Sequence, residues 1–220
     1  MSTIAIIGAG SGLGLAVAQR FGAAGFSVAL ISRAQENVDK IASQLRTDGI
    51  TAQGFVADVR VPQELEAALT DAARTLGTVE VLQYSPVPAK EFMKPVLETS
   101  AADLAGPVEF SIYGPVIAVQ QVLPGMRELG YGTILFINGG SAVRPNPTVA
   151  GTSIAFAGES AFAELLHDAL KTERIHVGQL IIPKGIGGGD PDHDPAALAE
   201  KIWRIHTERA EFRTFVAPMS

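Results

Sequence analysis

Four glycines at positions 8, 10, 12 and 14, in the stretch IIGAGSGLG, follow an apolar run and precede a segment where Leu13, Val17 and Phe21 recur at four-residue steps. A glycine-rich turn between a strand and a helix lets the backbone approach a pyrophosphate closely, and the helix N-terminus offers it unpaired N–H groups and a partial positive charge. Because strand, turn and amphipathic helix agree, Gly8, Gly10, Ser11, Gly12, Leu13 and Gly14 are expected to bind a dinucleotide rather than to form a merely structural turn. Ser32 and Arg33 close the second apolar run in LISRAQE, with no acidic residue before Glu36. An acid there would accept from a ribose 2′-OH, whereas an arginine pairs with a 2′-phosphate, so NADP(H) is expected over NAD(H). The stretch GTSIAFAGESAF (151–162) opens a helix beside the expected site, yet it holds no Tyr, Lys or His.

The elements that must position these residues are readable from periodicity. Seven short apolar runs, at 3–8, 27–32, 51–57, 79–84, 132–138, 176–182 and 212–217, read as strands, with segments of helical period between them. Near-continuous hydrophobic strands joined by helices are what a parallel sheet covered on both faces requires. The expected fold class is α/β: a single doubly wound, Rossmann-like domain over 1–220, with a seven-stranded parallel sheet and right-handed crossovers. The segment PKGIGGGDPDHDP (183–195) follows the sixth run at the sheet edge where such folds bind ligands, and it is expected to form a partly mobile lid.

Composition excludes several classes. At 47% hydrophobic and 18% charged, with a net charge of −6 and no run of Lys or Arg, the chain is a folded protein unsuited to nucleic acid or anionic membrane. The absence of cysteine rules out disulfides and thiolate metal sites. No apolar run approaches the roughly 20 residues of a membrane span, and the start MSTIAIIGAG lacks the features of a secretory signal, so a cytoplasmic location is expected.

With GAGSGLG, ISR and ADV (57–59) in view, the chain resembles the short-chain dehydrogenase/reductase family over essentially its whole length. The resemblance implies that Asp58 and the Val59 N–H meet the adenine, and that copies of the chain pair into a homodimer or homotetramer through helices near 103–128 and 153–173. That family works with Asn, Ser, Tyr and Lys. Here the motif after the fourth strand becomes YSPV, placing Tyr84 and Ser85 near the nicotinamide end. The helix Asn maps onto Ser111, the catalytic Ser onto Gly140 or Ser141, and the Tyr-x-x-x-Lys pair onto Ser153 and Ala157. Neither of the last two can do the usual work.

Ser141, Tyr113, Ser111 and Ser153 are therefore the candidate catalytic residues, with Tyr113 or Tyr84 as a possible substitute proton donor. Each tyrosine has the alternative of simple packing. Glu159 is expected to be exposed, and His193 to sit charged among the acids of DPDHDP, with a solvated loop favoured there over a metal site. Three functions stand open: an NADP(H)-dependent oxidoreductase with a non-standard site, a catalytically inactive NADP(H)-binding sensor or scaffold, and a non-redox enzyme on the same fold. The substrate is an unknown small molecule.

Overall fold

The structure is a computed structural model and describes residues 2–219. Seven strands form one sheet: β1 (Thr3–Ile7), β2 (Ser27–Ser32), β3 (Ala52–Val56), β4 (Val79–Tyr84), β5 (Gly132–Gly139), β6 (Ile175–Ile182) and β7 (Arg213–Phe215). Their order is β3-β2-β1-β4-β5-β6-β7, and every pairing is parallel. The β1, β4 and β6 side chains are buried at every position, which explains their unbroken apolar runs: both faces of the central sheet are covered.

Helices α1 (Leu13–Ala23), α2 (Gln35–Thr47) and α7 (Pro195–Glu208) pack on one face through residues such as Val17, Phe21, Ile41 and Ile202. On the other face lie α3 (Pro62–Leu76), the short α4 (Ala105–Val108), α5 (Gly114–Leu129) and α6 (Ala150–Ala169), contributing Leu65, Leu69, Val119 and Ala163. Phe21 meets Phe26 and Trp203 edge-on at 5.3 and 4.9 Å, locking α1 to α7. Burying a ring of this size stabilises the fold by about 2–3 kcal/mol.

Two irregularities matter for function. Between α4 and α5 the chain makes a π-turn over Glu109–Tyr113, which adds a residue to the helical repeat and rotates the side chains that follow. Strand β7 is three residues long and pairs only with Gln179–Ile181, so on that side the first half of β6, paired with β5 on the other, has no strand beside it. There His167 Nδ1 lies 3.0 Å from the Val177 carbonyl.

The strand order reverses between β1 and β4, and a crevice opens at their C-terminal ends, where doubly wound folds bind ligands. No helix among the described residues is long and apolar enough to cross a membrane.

Candidate active site

Gly8 leaves β1 at φ +86°, and a Cβ there would lie 2.4 Å from Pro86 Cα, so this position excludes a side chain twice over. The turn is anchored by Gly8 N–H and Ala9 N–H donating to the Ile31 carbonyl (2.9 and 3.1 Å). Asn37 Nδ2 also donates to the Ala9 carbonyl (2.7 Å) and the Ser32 hydroxyl (3.2 Å). Gly14 sits 3.0 Å, measured from its would-be Cβ, from Ala9 Cα, which brings α1 tight against the turn. At Gly10 and Gly12, by contrast, a Cβ would meet nothing within 4 Å. Helix α1 begins there with no side-chain cap and no acid in its first turn. Open space beside an uncapped helix N-terminus fits a pyrophosphate.

On one side of this turn lies a cavity of about 520 Å³, walled by Gly8, Gly10, Ser32, Arg33, Asn37 and Val59, among others. Arg33 makes no hydrogen bond or ion pair among the described residues and is exposed beside Ser32, placed as a 2′-phosphate would need it. Asp58 lies outside this wall: its carboxylate accepts from Arg60 Nη2 at 2.9 Å and from the Arg60 N–H at 3.0 Å. Burial opposes its ionisation, but those bonds outweigh it and hold the carboxyl below its ordinary range. Ala57 and Val59 stand in the wall of this cavity. Ser11 is exposed at the apex of the turn and outside both cavities.

On the other side a cavity of about 640 Å³ shares Gly8, Gly10, Pro86 and Val87 with the first, so the two form one cleft. Leu13, Gly14, Ser85, Met93, Asn138, Ser141, Thr152, Phe156 and Ile186 stand in its wall, and Lys184 is the one charged residue there. Ser141 occupies the turn after β5, and Thr152 the first turn of α6. Thr152 is 7% exposed and its hydroxyl oxygen is buried without a hydrogen-bond partner. A buried polar group left unpaired costs about 1–3 kcal/mol, so turning this hydroxyl toward a ligand oxygen in the cleft would regain a hydrogen bond.

The remaining candidates fall elsewhere. Tyr113, expected near the site, ends the π-turn, is 57% exposed and lies outside the cleft. Tyr84 is buried beneath the cleft floor, its hydroxyl donating to the Phe110 carbonyl. Burial, with Glu159 and Asp58 nearby, pushes that phenol well above its usual range, so it is a poor acid. Ser153 turns away from the cleft: its hydroxyl accepts from Asn146 N–H (3.0 Å) and lies 3.1 Å from the Asn146 carbonyl, bracing the loop before α6.

Ser111 is buried in the π-turn and directs its hydroxyl to Glu159, which is 1% exposed rather than solvated. Glu159 Oε1 accepts from Asn138 Nδ2 at 2.9 Å. Burial pushes its carboxyl up to about 8 even though Asn138 and Ser111 favour the charged form, so it is mostly neutral at pH 7.

In the 183–195 segment, His193 is fully buried, not solvated, with Nδ1 3.1 Å from Asp190 Oδ2. Asp194 caps α7 by accepting from Ala196 N–H, and Asp190 accepts from Asp192 N–H, so these acids serve as caps. No group of three or more metal-ligating side chains occurs among the described residues. Lys184, Gly185, Ile186 and Pro195 bring this segment to the cleft wall.

Sequence reasoning missed Thr152 and Asn138. Asn138 could have been found as a polar residue closing the apolar strand GTILFIN, where a strand C-terminus enters the crevice. Thr152 carried no signal of its own.

Fold and cleft together define a dinucleotide-binding α/β domain, and the short chain dehydrogenase family matches residues 2–187. The chain belongs to that family. It is 33% identical over 147 residues to 2-(S)-hydroxypropyl-CoM dehydrogenase 3 of Xanthobacter autotrophicus, covering 67% of this chain and 57% of that one. The chain spans about half the length of the curated relatives it matches first. A short-chain dehydrogenase from Rhodopseudomonas palustris superposes with a TM-score of 0.86 at 25% identity, covering 99% and 98% of the two chains. An NADPH-bound short-chain oxidoreductase from Pseudomonas aeruginosa PAO1, described as containing an atypical catalytic center, matches with a TM-score of 0.86 at 19% identity over 98% and 95%.

Proposed function

We propose that this protein is an NADP(H)-dependent oxidoreductase that interconverts a carbonyl compound and an alcohol through a non-standard active site. One observation carries the reading: a single cleft runs from Arg33, past the open glycines 10 and 12, to Ser141 and Thr152. Helix α6 contains neither Tyr nor Lys, which supports a site that works without the family's usual acid. The wall near Thr152 is mostly apolar, with Val87, Met93, Phe156 and Ile186, which suits a substrate with an apolar body.

The chain's own groups divide the work. Gly10, Gly12 and the α1 N-terminus would hold the pyrophosphate, and Arg33 would hold the 2′-phosphate. When bound, the cofactor supplies or takes the hydride. Ser141 and Thr152 hydroxyls donate to the substrate oxygen and stabilise the negative charge that grows on it. The proton that completes the alcohol comes from water at the cleft mouth. Ser141→Ala and Thr152→Val are each expected to lower kcat on the order of 10- to 100-fold with NADPH affinity unchanged. Tyr113→Phe serves as the silent control.

Titrating the purified protein with NADPH and NADH, following nicotinamide fluorescence, tests the foundation. NADPH should bind more tightly, and Arg33→Ala should weaken NADPH on the order of 10- to 100-fold while barely touching NADH. Equal losses for both would remove the phosphate role from Arg33. A second reading, a catalytically silent NADP(H) sensor, draws support from the missing Tyr and Lys. Tight NADPH binding without oxidation by any of a panel of aldehydes and ketones would favour it.

A further inference from the structure

A chain of polar side chains runs from the protein surface to the cleft wall, and one residue fixes its direction. Arg213 on β7 donates from Nε to Gln179 Oε1 (2.8 Å) and from Nη2 to the Ser160 hydroxyl (3.0 Å). The Ser160 hydroxyl donates to the same Gln179 oxygen (3.1 Å). A guanidinium carries donors only, so Gln179 must turn Oε1 toward Arg213 and Nε2 inward. That Nε2 donates to Asn138 Oδ1 at 2.8 Å. With its oxygen committed, Asn138 has only Nδ2 to offer Glu159 Oε1, 2.9 Å away. Gln179, Ser160, Asn138 and Glu159 are all at most 4% exposed, so water does not relax the choice.

The two ends of an amide have nearly the same shape, and hydrogen-bond polarity alone decides which way each points. Without Arg213 the Ser160 hydroxyl could rotate and accept from Gln179 instead, and both orientations of the Gln179–Asn138 pair would become admissible. A reversed Asn138 would turn a lone-pair-bearing oxygen to Glu159 and to the cleft.

We propose that Arg213 is a positioning residue: acting through Gln179, it holds the Asn138 amide with its N–H edge toward Glu159 and leaves the second N–H for the substrate oxygen beside Ser141 and Thr152. The catalytic part of this inference rests on the oxidoreductase reading above. The orientation does not.

The orientation is read by titrating the Glu159 carboxyl by carbon-13 NMR in the full-length protein. Tyr84 is the titratable neighbour that feels Glu159, and its phenol stays protonated throughout the range used. In Arg213→Met the carboxylate should lose its Asn138 donor while the acid gains Asn138 Oδ1 as an acceptor. Its proton affinity should then rise on the order of tenfold. Arg213→Lys, still a pure donor, should shift it less. Glu164→Ala removes the outer partner of Arg213, 3.3 Å away, and should leave the titration where it was. An unmoved carboxyl in Arg213→Met overturns the proposal, as does a shift of similar size but opposite direction in Glu164→Ala, which would make the loss of a nearby charge a sufficient cause.

Turnover is measured separately. Arg213→Met should lower kcat on the order of tenfold with NADPH binding intact, and Arg213→Lys should recover part of it. If the wild-type protein reduces no carbonyl at all, the oxidoreductase reading fails while the titration still decides the orientation.

Discussion

Replacing Glu159 by Gln is expected to flatten the dependence of stability on pH. In the folded protein this carboxyl stays protonated up to about 8, because burial disfavours its charge. In the unfolded chain it ionises near 4.3. Between those values the native state holds a proton that the unfolded state has lost, so stability falls as pH rises through the window and levels off above it. The full loss is on the order of 5 kcal/mol, and about 2 kcal/mol of it falls between pH 6.5 and 8.

Two other buried groups act in the opposite sense at lower pH. Burial lowers His176 and His206 to about 4, with nearby positive charge adding to the effect. Their contribution is present above pH 6.5 and is lost as pH falls toward 4. Comparing wild type with Glu159→Gln cancels the histidines. Urea unfolding from pH 5 to 8 should show the two proteins converging at low pH and the variant clearly more stable at pH 8. Parallel curves would mean that Glu159 is ionised in the fold and that its surroundings are wetter than the structure shows.

The second large effect separates two glycines of the same turn. Gly8→Ala places a Cβ 2.4 Å from backbone atoms of Pro86 and also meets a φ of +86°, so neither cause can be relieved by a side-chain rotation. A destabilisation of more than about 3 kcal/mol is expected. At Gly10 an added Cβ meets nothing within 4 Å and φ is not positive, so a Gly10→Val protein should fold with little change in melting temperature. The valine would, however, fill the space left for the pyrophosphate. NADPH affinity should drop on the order of 10³-fold, about 4 kcal/mol. Thermal melts with and without NADPH read both effects. A Gly10→Val protein that melts normally and still binds NADPH would sink the placement of the cofactor over this turn.

The order of elements was legible because each rests on a repeated local signal. The runs at 27–32 and 79–84 coincide with β2 and β4, and the others differ from their strands by a few residues at most. The glycine turn was legible for the same reason, since strand, turn and amphipathic helix sit next to one another in the chain. The half of the cleft around Ser141 and Thr152 was less so, because its residues meet only through tertiary packing. Tyr113, expected near the site, ends a π-turn that no composition announces. Glu159 and His193 were expected in solvent because charged residues usually are, yet the close packing of α6 and the folding of the 183–195 segment enclose them. Thr152 matters for what its hydroxyl lacks, and a missing partner leaves no trace in a sequence.

The short β7 has a consequence for life at high concentration. An unpaired strand flank is a template onto which another extended chain can add, and β6 offers one where its partner stops short of Ile175–Gly178. The imidazole of His167 occupies the Val177 carbonyl on that flank, so an incoming strand would have to displace it before the ladder could grow.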